Sequence, residues 1–140
     1  MSVDSIVVIR DARLPTIDQW QAALDRAGTG IVLENVGDLR EQFGYVPVIH
    51  RGHASGFEWF YTTVQEFFDD DPPDGLGDRT HVVDLITHSD SREFVCARIA
   101  GAVLADLTDG LVGDDNSDTF ISGSEALEIA RGLEEELRER

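Results

Sequence analysis

The 140-residue chain is short of cations, of cysteine and of long apolar runs, and each shortage excludes something. Eleven Lys+Arg residues stand against 28 Asp+Glu, a formal net charge of −17. Affinity for nucleic acid comes mostly from cations that neutralise phosphates, so this balance argues against a nucleic-acid binder and against docking on an anionic membrane. The single cysteine, Cys96, cannot form an internal disulfide. It sits in an apolar helical pattern and reads as a small buried hydrophobe rather than a reactive thiol. No apolar stretch approaches the ~20 residues of a membrane span. The opening MSVDSIVVIRDAR lacks the basic start and apolar run of a secretory signal. Those absences point to the cytoplasm. Missing too are a nucleophile elbow, a P-loop, a Rossmann glycine pattern and paired CxxC motifs.

What is present suits one folded domain spanning residues 1–140. An apolar fraction of 41% at this length is enough for a single core. The acidic surface attracts a basic partner and speeds the encounter by steering; its plainer reading is solubility, or adaptation to high salt.

Residues 3–9, VDSIVVI, read as a β-branched strand. Thr16 and Gln19 have capping-box spacing ahead of a helix whose stripe is Ile17, Trp20, Leu24 and Ala27. Further strands are expected over 31–36, 45–50, 57–64 and 81–88. Pro47 cannot donate to a ladder and belongs at an edge or a strand start. RGHASG, from Arg51, reads as a turn, and 69–79 as an irregular acidic loop. A helix over about 90–108 opens with Asp90 and Glu93 and carries small residues (Ala97, Ala100, Gly101, Ala105) that let a backbone lie close to a sheet. Residues 111–121 read as a hairpin. The last helix opens with Ser122 and Glu125 and buries Ala126, Ile129, Ala130 and Leu133, with Leu137 at the margin. Strands arrive in runs, which predicts an α+β domain: a largely antiparallel or mixed sheet of about six to seven strands, with three main helices packed mainly on one side.

The histidines carry little chemistry in this pattern. His50 and His53 fall in a turn, so their H-x-x-H spacing conveys little. His81 and His88 fall on opposite faces of one strand with Asp84 between them. All four read as surface or loop residues, with no metal site and no cofactor expected. Asp69 to Asp71 resemble a calcium loop only in composition; a solvated loop is the reading, weak cation binding the alternative.

The informative stretch is SGFEWFYTTVQEFFDDDPPDGLGD, residues 55–78. It holds Phe57, Trp59, Phe60, Tyr61, Phe67 and Phe68 beside three consecutive aspartates. On a strand, Phe57, Trp59, Tyr61 and Thr63 share a core face, while Glu58, Phe60, Thr62 and Val64 share the other. Phe67 and Phe68 have two readings. In one they cap the core. In the other they join a protein-binding surface, where aromatics supply the desolvated centre and a carboxylate rim meets Lys and Arg.

Three segments resemble the small immunity proteins that accompany bacterial polymorphic toxins of contact-dependent inhibition and type VI secretion. They are VVIRDARLPTIDQWQAAL, then GYVPVIHRGHASGFEW (residues 44–59), then the closing unit from REFVCARIAGAVLADLTDGLVGDD to the final helix. The resemblance implies a non-enzymatic protein that binds one cognate toxin, nucleases being common among such toxins, and blocks its active site or a basic surface. On that reading the partner-binding residues are Glu58, Trp59, Phe60, Glu66, Phe68, Asp69, Asp70, Asp71 and Asp74. A second acidic edge, Asp114, Asp115 and Asp118, is the alternative surface. Two other classes compete: a small hydrolase or metal-dependent enzyme using His50 and His53, and a homo-oligomeric structural or adaptor domain that buries its aromatics against a second copy.

Overall fold

The β-branched run that opens the chain becomes an interior strand of a seven-stranded sheet. The computed structural model describes residues 2–34, 36–113 and 119–139. The elements run β1 (Val3–Ile9), a 3₁₀ turn (Asp11–Arg13), α1 (Ile17–Arg26), β2 (Ile31–Leu33), β3 (Gly44–His50), β4 (His53–Thr63) and α2 (Val64–Phe67). They continue with β5 (His81–Thr87), α3 (Ser91–Thr108), β6 (Leu111–Gly113), β7 (Ile121–Ser122) and α4 (Gly123–Arg138). The spatial order is β2-β3-β4-β5-β1-β6-β7, every neighbouring pair antiparallel, and the domain is α+β as expected.

Helices α1, α3 and α4 cover one face, here the inner face. Trp20 of α1 and Trp59 of β4 meet there with ring centroids 5.5 Å apart. Each buried indole N–H has a carbonyl acceptor: Ala100 O at 3.2 Å for Trp20, Leu39 O at 3.1 Å for Trp59. Such partners are what allow a Trp to be buried whole. The small residues of α3 work as expected, since Ala97, Ala100 and Ala105 are fully buried and Gly101 lies against Val7 and Leu85.

The other, outer face carries a second, smaller core. Ile6, Val8, Val82, Val64 and Leu76 are buried there, with Phe67, Phe68 and Phe120 packed on them. With both faces covered, Ile6 to Ile9 of β1 are all buried, so the strand reads as a continuous apolar run instead of an alternation.

Several boundaries differ from the sequence reading. The second strand stops at Leu33 rather than 36. The turn after β3 is Arg51-Gly52 alone, both at positive φ (48° and 86°), as a tight two-residue hairpin turn requires; His53 already opens β4. Pro47 lies inside β3, not at its start. The β2 pairing ends at Leu33↔Val48, and the Glu34 amide donates to the Pro47 carbonyl at 3.1 Å, so the missing proline N–H falls where the ladder stops. Ile129 is 57% exposed rather than buried. The 111–121 hairpin pairs Leu111↔Ser122 and Val112↔Ile121.

Candidate protein-binding surface

The acidic stretch is a fastened lobe on the outer face. Thr63 caps α2 by accepting the Glu66 amide at 3.1 Å. The chain then turns sharply: Asp69 and Asp70 both take positive φ (52° and 64°), a conformation Asp tolerates better than most residues. The Asp70 amide donates to Gln65 O at 2.8 Å and the Asp71 amide to Phe68 O at 3.0 Å. Phe67 and Phe68 meet edge to face at 4.8 Å over the outer core, and Leu76 inserts beside them. Downstream, Arg79 grips the Asp109 carbonyl through Nη2 at 2.8 Å, and Arg10 pairs with Asp78 at 2.7 Å. That arginine also holds the Asp78 carboxyl below its ordinary range. The apolar side chains point inward and Glu66, Asp69, Asp70, Asp71 and Asp74 point to water. The proximity of aromatics to negative charge thus has a mechanical basis: the rings attach the lobe to the sheet and leave the carboxylates outside.

This placement corrects part of the expected interface. Trp59 is fully buried on the inner face and touches no solvent, so it cannot anchor a partner. Its odd-numbered position on β4 put it in the core, as the alternation itself required. Phe68 is half-buried as part of the outer core, which realises the capping reading for it and Phe67. Phe60 is half-buried on the outer face, opposite Asp84. Glu58 is on the same face, its carboxylate 2.8 Å from His88 Nε2. Asp114, Asp115 and Asp118 lie outside the described residues.

The sequence reading missed the uncovered half of the outer face. Antiparallel partners project to the same side, so Val32, Ile49 and Ala54 form one row across β2, β3 and β4, with Pro47–Gly56 and Tyr45–Glu58 as the next rows. Val32 is 56% exposed, Tyr45 51% and Ile49 45%. The signal was legible in YVPVIH, where both alternating sets are apolar; Val46, Val48 and His50 take the core, leaving Tyr45, Pro47 and Ile49 outside. Tyr45 folds over Gly56, where a Cβ would lie 2.3 Å from its hydroxyl oxygen. The hydroxyl donates to Glu93 Oε2 at 2.9 Å. Burial and that carboxylate push the phenol up to about 12. At the sheet edge, Gln21 of α1 satisfies β2: its Nε2 donates to Ile31 O at 2.9 Å and its Oε1 accepts the Leu33 amide at 2.7 Å.

Two polar clusters lie elsewhere. His50 is not a surface residue: it is 1% exposed, its Nε2 2.6 Å from Glu134 Oε2 on α4. Arg51 Nε donates to the same oxygen at 3.0 Å. Burial alone would raise the Glu134 carboxyl; Arg51 and His50 outweigh it and hold the group below its usual range. The cluster ties α4 to the β3–β4 turn, and the exposed His53 is not part of it. Second, Asp11 accepts the Tyr61 hydroxyl at 2.6 Å and pairs with Arg40, while the His81 ring stacks on Tyr61 at 5.1 Å. The Tyr61 and Arg40 hydrogen bonds lower the Asp11 carboxyl, whereas burial and Asp11 raise the Tyr61 phenol. These groups satisfy one another and join strand ends to the Asp11–Arg13 turn. Among the described residues, no three His, Cys, Asp or Glu side chains converge as metal ligands. Cys96 is buried, which pushes its thiol up to about 11. No described helix is long and apolar enough to cross a membrane.

Comparison with protein-family models, with curated proteins and with solved structures found no match to this chain.

Proposed function

We propose that the chain is a cytoplasmic immunity protein that binds a cognate bacterial toxin domain and neutralises it by occluding a basic active-site surface. The observation that carries this reading is the acidic lobe. Its carboxylates stand in water on a short segment held by the outer core, Arg10 and Arg79, so little ordering entropy opposes docking. A nuclease fits best as the toxin, because a cleft that binds phosphates must carry cations. The lobe would meet those cations directly, and the net charge of −17 would steer the encounter.

The test is association kinetics with the proposed toxin, the C-terminal domain of the open reading frame adjacent to this gene. Asp69→Asn, Asp70→Asn and Asp71→Asn together remove charge while keeping a residue that tolerates positive φ. The triple variant should keep its melting temperature and associate roughly tenfold more slowly at low salt, the difference vanishing at high salt. An unchanged rate at low salt removes the lobe as the docking surface.

A further inference from the structure

Among the described residues, the uncovered part of the outer face carries no arginine or lysine, and a basic neighbour, His88, lies at Glu58. Strands β2 to β5 contain no arginine or lysine, and the row Val32–Ile49–Ala54 is bordered by exposed Glu34 and by Glu58. Val32, Ile49 and Tyr45 are exposed side by side on that face, and a contiguous exposed apolar patch is a mark of an interaction site. Strand addition at the β2 edge is closed, because Gln21 already occupies the outward groups of Ile31 and Leu33. What is offered is the face itself.

We infer that this face is the anchor half of the partner interface, and that it takes a protein segment presenting an aromatic or aliphatic side chain flanked by arginine or lysine. The inference rests on the partner-binding reading and adds to it the chemistry the partner must present. Charge complementarity selects the occupant. A second copy of this chain would bring two bodies of charge −17 and two sets of rim carboxylates together, whereas a basic segment meets the exposed Glu34, and Glu58 beside His88, while its apolar side chain covers Ile49. Tyr45, fixed over Gly56 and tied to Glu93, gives the face a rigid aromatic wall that loses little entropy on binding.

The test uses the whole chain, amide chemical shifts and two synthetic peptides of equal charge, one alternating Arg and Trp, the other Arg and Gly. The Arg–Trp peptide should bind about tenfold more tightly than the Arg–Gly peptide and move the amides of Val32, Tyr45, Ile49 and Ala54. The V32T/I49T variant keeps β-branched residues on both strands and should erase that preference. Ala54→Arg, at an exposed position, should do so by repulsion and gives an independent readout if the double variant is misfolded. Equal binding of the two peptides, shifts confined to residues 66–78, or a preference that survives both variants overturns the inference. So does a shift pattern on this face that grows with the protein's own concentration, which marks a self-dimer. None of these outcomes depends on rescue from a toxin, so failure here and failure of the immunity reading are told apart.

Discussion

His50 Nε2 lies 2.6 Å from Glu134 Oε2, joining a residue at the end of β3 to the last helix across 84 positions of sequence. Both side chains are nearly inaccessible, and Arg51 shares the same carboxylate oxygen. Removing a buried charge partner leaves the other side uncompensated, so Glu134→Gln should cost about 2 kcal/mol at neutral pH. The pH dependence has a definite sign. The folded Glu134 carboxyl lies below its ordinary 4.5, so its contribution is complete above that value and is lost as pH falls through the lowered folded value. Urea unfolding of both proteins from pH 7 to pH 3 checks this: the gap between them should narrow toward low pH. A constant gap assigns the loss to packing alone.

Trp59 separates a core role from an interface role. Buried beside Trp20 with its N–H on Leu39 O, it should cost about 3–5 kcal/mol when replaced by alanine. Thermal or urea unfolding measures the loss. A variant of unchanged stability would place the ring at the surface.

Gly56 is a steric prediction. A Cβ there would lie 2.3 Å from the Tyr45 hydroxyl oxygen and 2.8 Å from the Val46 carbonyl oxygen. The tyrosine can swing away but the backbone cannot, so Gly56→Ala should destabilise by about 1–3 kcal/mol and expose Tyr45. A tyrosine fluorescence or absorbance shift reports the displaced ring. Combining Gly56→Ala with Tyr45→Ala should recover only part of the loss.

Gln21 guards the β2 edge. Without its carboxamide, Ile31 O and Leu33 N lose their side-chain partners. Gln21→Ala should lower stability by about 1 kcal/mol and introduce concentration-dependent association, because an open edge invites strand pairing. Sedimentation at two concentrations would detect it, and a strictly monomeric variant would show that the edge needs no guard.

The fold was largely legible because local signals agreed with one another. The caps at Thr16, Asp90 and Ser122 all accept the amide three residues on, and Thr16 makes the full reciprocal box with Gln19. Asp90 makes only half of one, since Glu93 turns to Tyr45 instead, a contact 48 positions away that no local pattern encodes. His50 was misread for the same reason: a histidine beside a turn looks exposed until Glu134 arrives from the far end of the chain. The candidate site was legible as a cluster of residue types more than as a surface. Adjacent aromatics and aspartates marked the lobe, but which rings face inward depends on α2, a single helical turn that the extended reading of 57–64 did not contain.

Growth is the direct measure of whether this protein neutralises a toxin. The C-terminal domain of the open reading frame adjacent to this gene, as the proposed toxin, is expressed with this protein, with the Asp69/Asp70/Asp71→Asn variant, or alone. Arrested growth is expected for the toxin alone, full rescue with a co-purifying complex for the wild type, and weakened rescue for the charge-stripped variant. Arrest that the wild-type protein fails to relieve would contradict the immunity reading.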